Sequence, residues 1–144
     1  MDQQNYQCSI AADFTPGEAF HGINQVNEWW AKNFEGSSEK LNDVFTVRFG
    51  DTFVTFEVTE SAPGKKIAWK VTDCYLPWLT DKTEWNGTTI VFDISSLGDE
   101  TQITMTHIGL VPEVECFGAC EAGWNKHIKG SLFKLLTEYA GVPQ

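Results

Sequence analysis

A chain of 144 residues with a formal net charge of −10 fits a single domain spanning residues 1–144, and 42% hydrophobic residues supply a core. Negative charge on that scale is repelled by phosphate backbones and anionic lipid surfaces, which excludes nucleic acid and membrane surfaces as natural partners. The opening MDQQNYQCSI lacks the basic and apolar segments of a secretory signal, and no run approaches the ~18 apolar residues of a membrane span. A cytoplasmic protein is therefore expected, with its four cysteines as reduced thiols.

In chain order, YQCSIAADF (Tyr6–Phe14) alternates like a strand. Thr15, Pro16 and Glu18 have the spacing of a helix start: an N-cap, a proline at the first helical position and the acid of a capping box. A short helix through Ala19, Phe20 and Ile23 follows, then a second through Val26, Trp29 and Trp30, then a loop over EGSSEKLND. VFTVRFG and TFVTFEVTES read as strands, separated from the next by the turn APGKK. KIAWKVTDCY alternates, with Ile67, Trp69 and Val71 on one face. LPWLTDK is a loop carrying Trp78 and Leu79. TTIVFDIS and TQITMTHIGL are strands, placing Ile90, Phe92 and Ile94, and Ile103, Met105 and His107, on their apolar faces.

From about Glu115 the period changes. Phe117, Cys120, Trp124, Ile128, Leu132, Leu135, Leu136 and Tyr139 recur at helical spacing, and GVPQ ends the helix. The fold class is α+β: a curved antiparallel sheet of about six strands wrapped round a long C-terminal helix, with two short helices after the first strand. A sheet with one apolar face needs a cover, and this helix is the only large candidate. Any space between them falls most easily near its N-terminal half; Gly118, Gly123, Gly130 and Ser131 are small residues in the helix, suited to close approach to the sheet or to leaving room for a ligand.

The segments NEWWAKNFEG, FVTFEVTESAPGKKIAWKV, TEWNGTTIVFDI, GDETQITMTHIGL and CEAGWNKHIKGSLFKLL, in this order, resemble the START-like (SRPBCC, birch-pollen-allergen-type) helix-grip superfamily. Within it the chain is similar to bacterial homologues of the heat-shock-protein-90 ATPase activator, the Aha-type domain. The His-x-Gly-Leu strand end and the Gly-Trp helix carry most of the likeness. The resemblance implies a deep cavity between sheet and helix, and relatives that include small-molecule carriers, cyclases and a co-chaperone domain.

Trp69, Phe92, Met105 and Trp124 are expected to converge between sheet and helix, with Phe20 and Trp30 closing one end. Cys120 and Ile128 join them from the helix, and His107 from the last strand. Apolar walls with few polar anchors are what small-molecule sites look like. His107 is the one candidate for acid–base catalysis, against a structural role at the strand end. Cys116 and Cys120, four apart on one helix side, are weak metal candidates; packing is the plainer role. His127, one turn past Trp124, either flanks the pocket or faces water, and Trp78 in its loop is either a lid or a partner contact. No catalytic motif, phosphate loop or cofactor signature is present. The expected function is non-catalytic binding of a hydrophobic small molecule. A chaperone-associated module and a cyclase or hydrolase using His107 are the alternatives, in a monomer or homodimer.

Overall fold

The computed structural model describes residues 5–144. Strand β1 (Tyr6–Ala12) is followed by helices α1 (Pro16–Asn24) and α2 (Val26–Trp29). Strands β2 (Asn33–Gly36), β3 (Val44–Phe49), β4 (Thr52–Ala62), β5 (Lys66–Tyr75), β6 (Thr89–Leu97) and β7 (Glu100–Ile108) come next. One continuous C-terminal helix closes the chain: α3 (Phe117–Asn125), a π-helical stretch (Lys126–Leu132) and α4 (Phe133–Glu138). The strands form one antiparallel sheet in the order β1-β7-β6-β5-β4-β3-β2. This is the helix-grip architecture.

Among the described residues the sheet has seven strands rather than about six. The additional one, β2, lies on the sheet edge opposite β1 and pairs only with β3. It is four residues long and mostly exposed, so neither length nor apolar alternation marks it in the sequence. Two register shifts in the β4–β5 pairing, between Thr55 and Phe56 and between Val58 and Glu60, add local twist to the curved sheet.

Local chemistry explains the helix start. Thr15 accepts from the Glu18 N–H at 3.0 Å, and the Glu18 carboxylate accepts from the Thr15 N–H at 2.8 Å. Two donors at the start of α1 are thus satisfied reciprocally.

The C-terminal helix has an unusual requirement. From its N-cap onward its buried apolar residues are Cys116, Cys120, Trp124, Ile128, Leu132 and Leu136, spaced by four throughout. In an α-helix each step of four overshoots a full turn by ~40°, so five steps would carry the stripe about 200° round the axis. The wider turns of the π stretch take back that drift and keep all six residues facing the sheet. They also place Ser131 where its hydroxyl donates to the Trp29 carbonyl at 2.6 Å and accepts from the Val142 N–H at 2.7 Å. One side chain thus ties α2 to the C-terminal tail.

The inward faces follow the alternation read from the sequence: Phe45 and Val47, Val54, Phe56 and Val58, Ile67, Trp69 and Val71, Ile90, Phe92 and Ile94, and Ile103, Met105 and His107 are all buried. The middle of the grip is packed with rings. Trp69 meets Phe45 and Phe92 edge-on, each at 5.0 Å between centroids, and lies parallel to Trp30 at 6.4 Å. Trp29, from α2, meets Phe92 edge-on at 6.3 Å. These rings occupy the volume where a deep central cavity was expected.

Candidate functional site

An aromatic cleft of about 230 Å³ lies open at one end of the grip, beside the N-terminal half of the C-terminal helix. The sheet contributes Phe49, Thr52 and Val54, and α2 is followed by Trp30. The β5–β6 loop contributes Leu76, Trp78 and Trp85; the helix contributes Ala119, Cys120, Gly123, Trp124 and His127. The volume lies below the ~300 Å³ at which drug-sized sites begin, so it suits a small molecule or the end of a larger one.

The walls are aromatic. Trp30 and Trp124 touch at 5.0 Å between centroids, and Trp124 lies parallel to Trp85 at 5.9 Å. Trp78 is half exposed at the mouth, as a lid residue would be. Among the described residues, no carboxylate, lysine or arginine lines the cleft. His127 borders it, and burial, with Lys126 adding to it, pushes the imidazole down to about 4, so it is neutral at pH 7. Trp85 Nε1 and His127 Nδ1 are buried without hydrogen-bond partners, each at a cost of ~1–3 kcal/mol.

Of the residues singled out in the sequence, Trp30, Cys120 and Trp124 line the cleft. Trp69, Phe92, Met105 and Ile128 have no exposed surface and belong to the packed core instead. Phe20 is partly buried against that core, away from the cleft. Phe49, Thr52, Val54, Leu76 and Trp85 were not singled out. Trp85 sits in a turn-rich loop without periodicity, and only the folded β5–β6 connection brings it over the helix.

His107 is buried one layer behind the cleft, where its hydrogen bonds fix its state. The Trp124 indole N–H donates to Nδ1 at 3.1 Å. Nε2 lies 2.9 Å from the Thr88 hydroxyl, which itself donates to the Trp85 carbonyl at 2.6 Å. The Thr88 proton is thereby committed, so His107 donates from Nε2–H and is the neutral tautomer. Burial drives its pKa down to about 3. The imidazole joins Trp85, Thr88 and Trp124, two of them cleft walls, into one rigid unit. Both nitrogens are engaged, which leaves the ring no free site for proton transfer. The His-x-Gly-Leu sequence follows from this packing: Gly109 has φ of +106°, and a Cβ there would stand 2.6 Å from Thr88 Cγ2.

The loop over the cleft is clasped to the start of α3 by two carboxylates. Glu84 accepts from the N–H groups of Glu115 (3.1 Å) and Cys116 (3.0 Å). Glu115 in turn accepts from the Thr80 N–H at 2.9 Å and lies 3.4 Å from its hydroxyl.

Cys116 and Cys120 are joined as a disulfide, with Cα atoms 5.5 Å apart. This corrects the expectation of four reduced thiols. Four residues along a helix start bring the two sulfurs together, which spacing alone does not decide. Cys8 and Cys74 are free and buried, and burial raises both thiol pKa values. Among the described residues, no group of three or more His, Cys, Asp or Glu side chains converges on a metal-sized site, and no helix is long and apolar enough to cross a membrane.

No family model and no curated protein sequence matches the chain. Solved structures do. The Aha1 dimer from Colwellia psychrerythraea is similar with a TM-score of 0.76 at 19% identity, over 92% of this chain and 96% of that one. Protein SSP2350 from Staphylococcus saprophyticus gives 0.72 at 12% identity, over 96% of each chain. Protein MLL2253 from Mesorhizobium loti gives 0.70 at 13% identity, over 95% of this chain and all of that one. At these identities the likeness establishes a shared fold: the chain has the same helix-grip architecture as the Aha1 structure over nearly its whole length.

Proposed function

We propose that this protein is a non-catalytic binder of a small, uncharged, apolar molecule, held in the cleft between the β5–β6 loop and the N-terminal half of the C-terminal helix. The observation that carries the reading is the wall itself: Trp30, Phe49, Trp78, Trp85 and Trp124 surround a space lined by no charged side chain among the described residues. Aromatic rings supply large contact area at low conformational cost and favour flat partners. A free ion in such a site would surrender its hydration for no compensating charge.

Native mass spectrometry of the purified protein tests it. A reproducible non-covalent adduct, absent from the denatured mass and abolished in a Trp85→Ala, Trp124→Ala variant, is the expected result. A protein that takes up no apolar aromatic compound at millimolar concentration contradicts it.

A second reading has one observation in its favour, the similarity to the Aha1 dimer. On that reading the domain self-associates or docks on a chaperone through its surface. Sedimentation that shows a monomer, together with an unchanged ATPase rate of a purified heat-shock-protein-90 chaperone, would rule it out.

A further inference from the structure

We propose that the Cys116–Cys120 pair is a reversible thiol–disulfide switch that sets whether the aromatic cleft is closed for binding; the inference rests on the cleft being a binding site. Three placements carry it. Cys120 is a wall residue of the cleft, whereas Cys116 is wholly buried behind it. Cys116 is also the N-cap residue of α3, and its N–H is one of the two held by Glu84. Glu84 and Glu115, the two carboxylates of the clasp, fix the loop that carries Trp78 and Trp85. One covalent bond therefore sits at the junction of the helix start, the loop clasp and the cleft wall.

The first turn of a helix is its least stable part, because several residues are ordered for one hydrogen bond. In α3 that turn includes Gly118, which favours disorder further. The disulfide staples the turn directly. Reduction removes the staple and also separates the sulfurs from bonding distance to van der Waals contact. Cys116 is wholly buried and Cys120 borders the open cleft, so the Cys120 sulfur is the one that moves, toward the cleft. Reduction thus loosens the loop and crowds the wall together.

The exchange is balanced with a small-molecule disulfide as oxidant and a small thiol as reductant. In the oxidising direction, one cysteine thiolate attacks the small disulfide and expels a thiol. The second cysteine then attacks the mixed disulfide, forming the Cys116–Cys120 bond and releasing the second thiol. In the reducing direction the incoming thiolate attacks Cys120, the member at the cleft, and Cys116 departs as the leaving thiolate; a second thiolate then attacks the mixed disulfide, frees the Cys120 thiolate and leaves as the small disulfide, the two cysteine thiolates taking up protons.

The test uses the full chain, oxidised with a small disulfide or reduced with a dithiol. Alkylation and intact mass should find two modifiable thiols in the unfolded oxidised form and four in the reduced form; four in both overturns the proposal. Amide hydrogen exchange at Thr80, Glu115 and Cys116 is expected to be about tenfold slower in the oxidised protein. The uncharged fluorescent probe N-phenyl-1-naphthylamine is expected to bind the oxidised form about tenfold more tightly. A Cys120→Ala variant should show one redox-independent affinity. Equal exchange in both forms overturns the switch, as does altered exchange with unaltered affinity. A probe that binds neither form defeats the cleft reading itself, and the exchange difference tells that failure apart from failure of the staple.

Discussion

Burial of His107 makes stability depend on pH with a predictable sign. The imidazole has an ordinary value of 6.5 and is held at about 3 in the fold, where both nitrogens are bonded and no water reaches the ring. The unfolded chain therefore binds a proton that the folded chain refuses. The contribution is fully present above about pH 6.5 and is lost as the pH falls toward 3. Between pH 7 and pH 5 the loss from this one residue is about 2 kcal/mol, since one proton taken up on unfolding costs about 1.4 kcal/mol per pH unit. In urea that is a fall in midpoint of about 1 M. The comparison is with His107→Gln, which cannot titrate. Its absolute stability falls by about 1–3 kcal/mol, because the bonds to Thr88 and Trp124 are imperfectly replaced. Its loss between pH 7 and pH 5 should be about 2 kcal/mol smaller than that of the natural chain, since every other group titrates in both proteins. Equal pH dependence in the two proteins would refute the assignment of a buried, neutral imidazole.

Other consequences follow from single contacts. Thr15→Ala removes the capping box and should lower stability by about 1 kcal/mol, read as a Tm fall of about 2–4 °C. Ser131→Ala leaves the Trp29 carbonyl and the Val142 N–H without their partner and should cost about 2–3 kcal/mol in chemical denaturation. It should also speed hydrogen exchange at Val142. In Gly141→Ala the new methyl would collide with the Glu28 carbonyl and press on Trp29 Cα, backbone that cannot give way. A loss of at least about 2 kcal/mol is expected, with the tail bonds between Lys32, Trp30 and Gln144 released.

Most of the architecture was legible because it is written in periods. Alternation around Ile67, Trp69 and Val71, or Ile103, Met105 and His107, identifies strands and their inward faces at once. The Thr15-Pro16-Glu18 start is a local signal with local causes, and the structure has it as read. The π stretch was not read: only the burial pattern of the fold shows apolar residues spaced by four over twenty positions, which cannot stay on one face of a pure α-helix. The site was harder. Whether Trp69 and Phe92 line a cavity or fill it depends on the volume brought by Trp29 and Trp30, two adjacent residues whose packing only the tertiary fold decides. Trp85 and Glu84 lie in a loop without a period, and their roles arise from partners about thirty to forty residues away in the chain.

The most direct test of the binding account reads the six tryptophan indole N–H signals by two-dimensional NMR during a titration with N-phenyl-1-naphthylamine. Trp30, Trp78, Trp85 and Trp124 wall the cleft, whereas Trp29 and Trp69 are sealed in the core. The account predicts saturable shifts led by Trp78 and Trp85, with the Trp29 signal, whose N–H is bonded to the Ile23 carbonyl, unmoved. Absence of any saturable shift, or shifts led by Trp29, would contradict it.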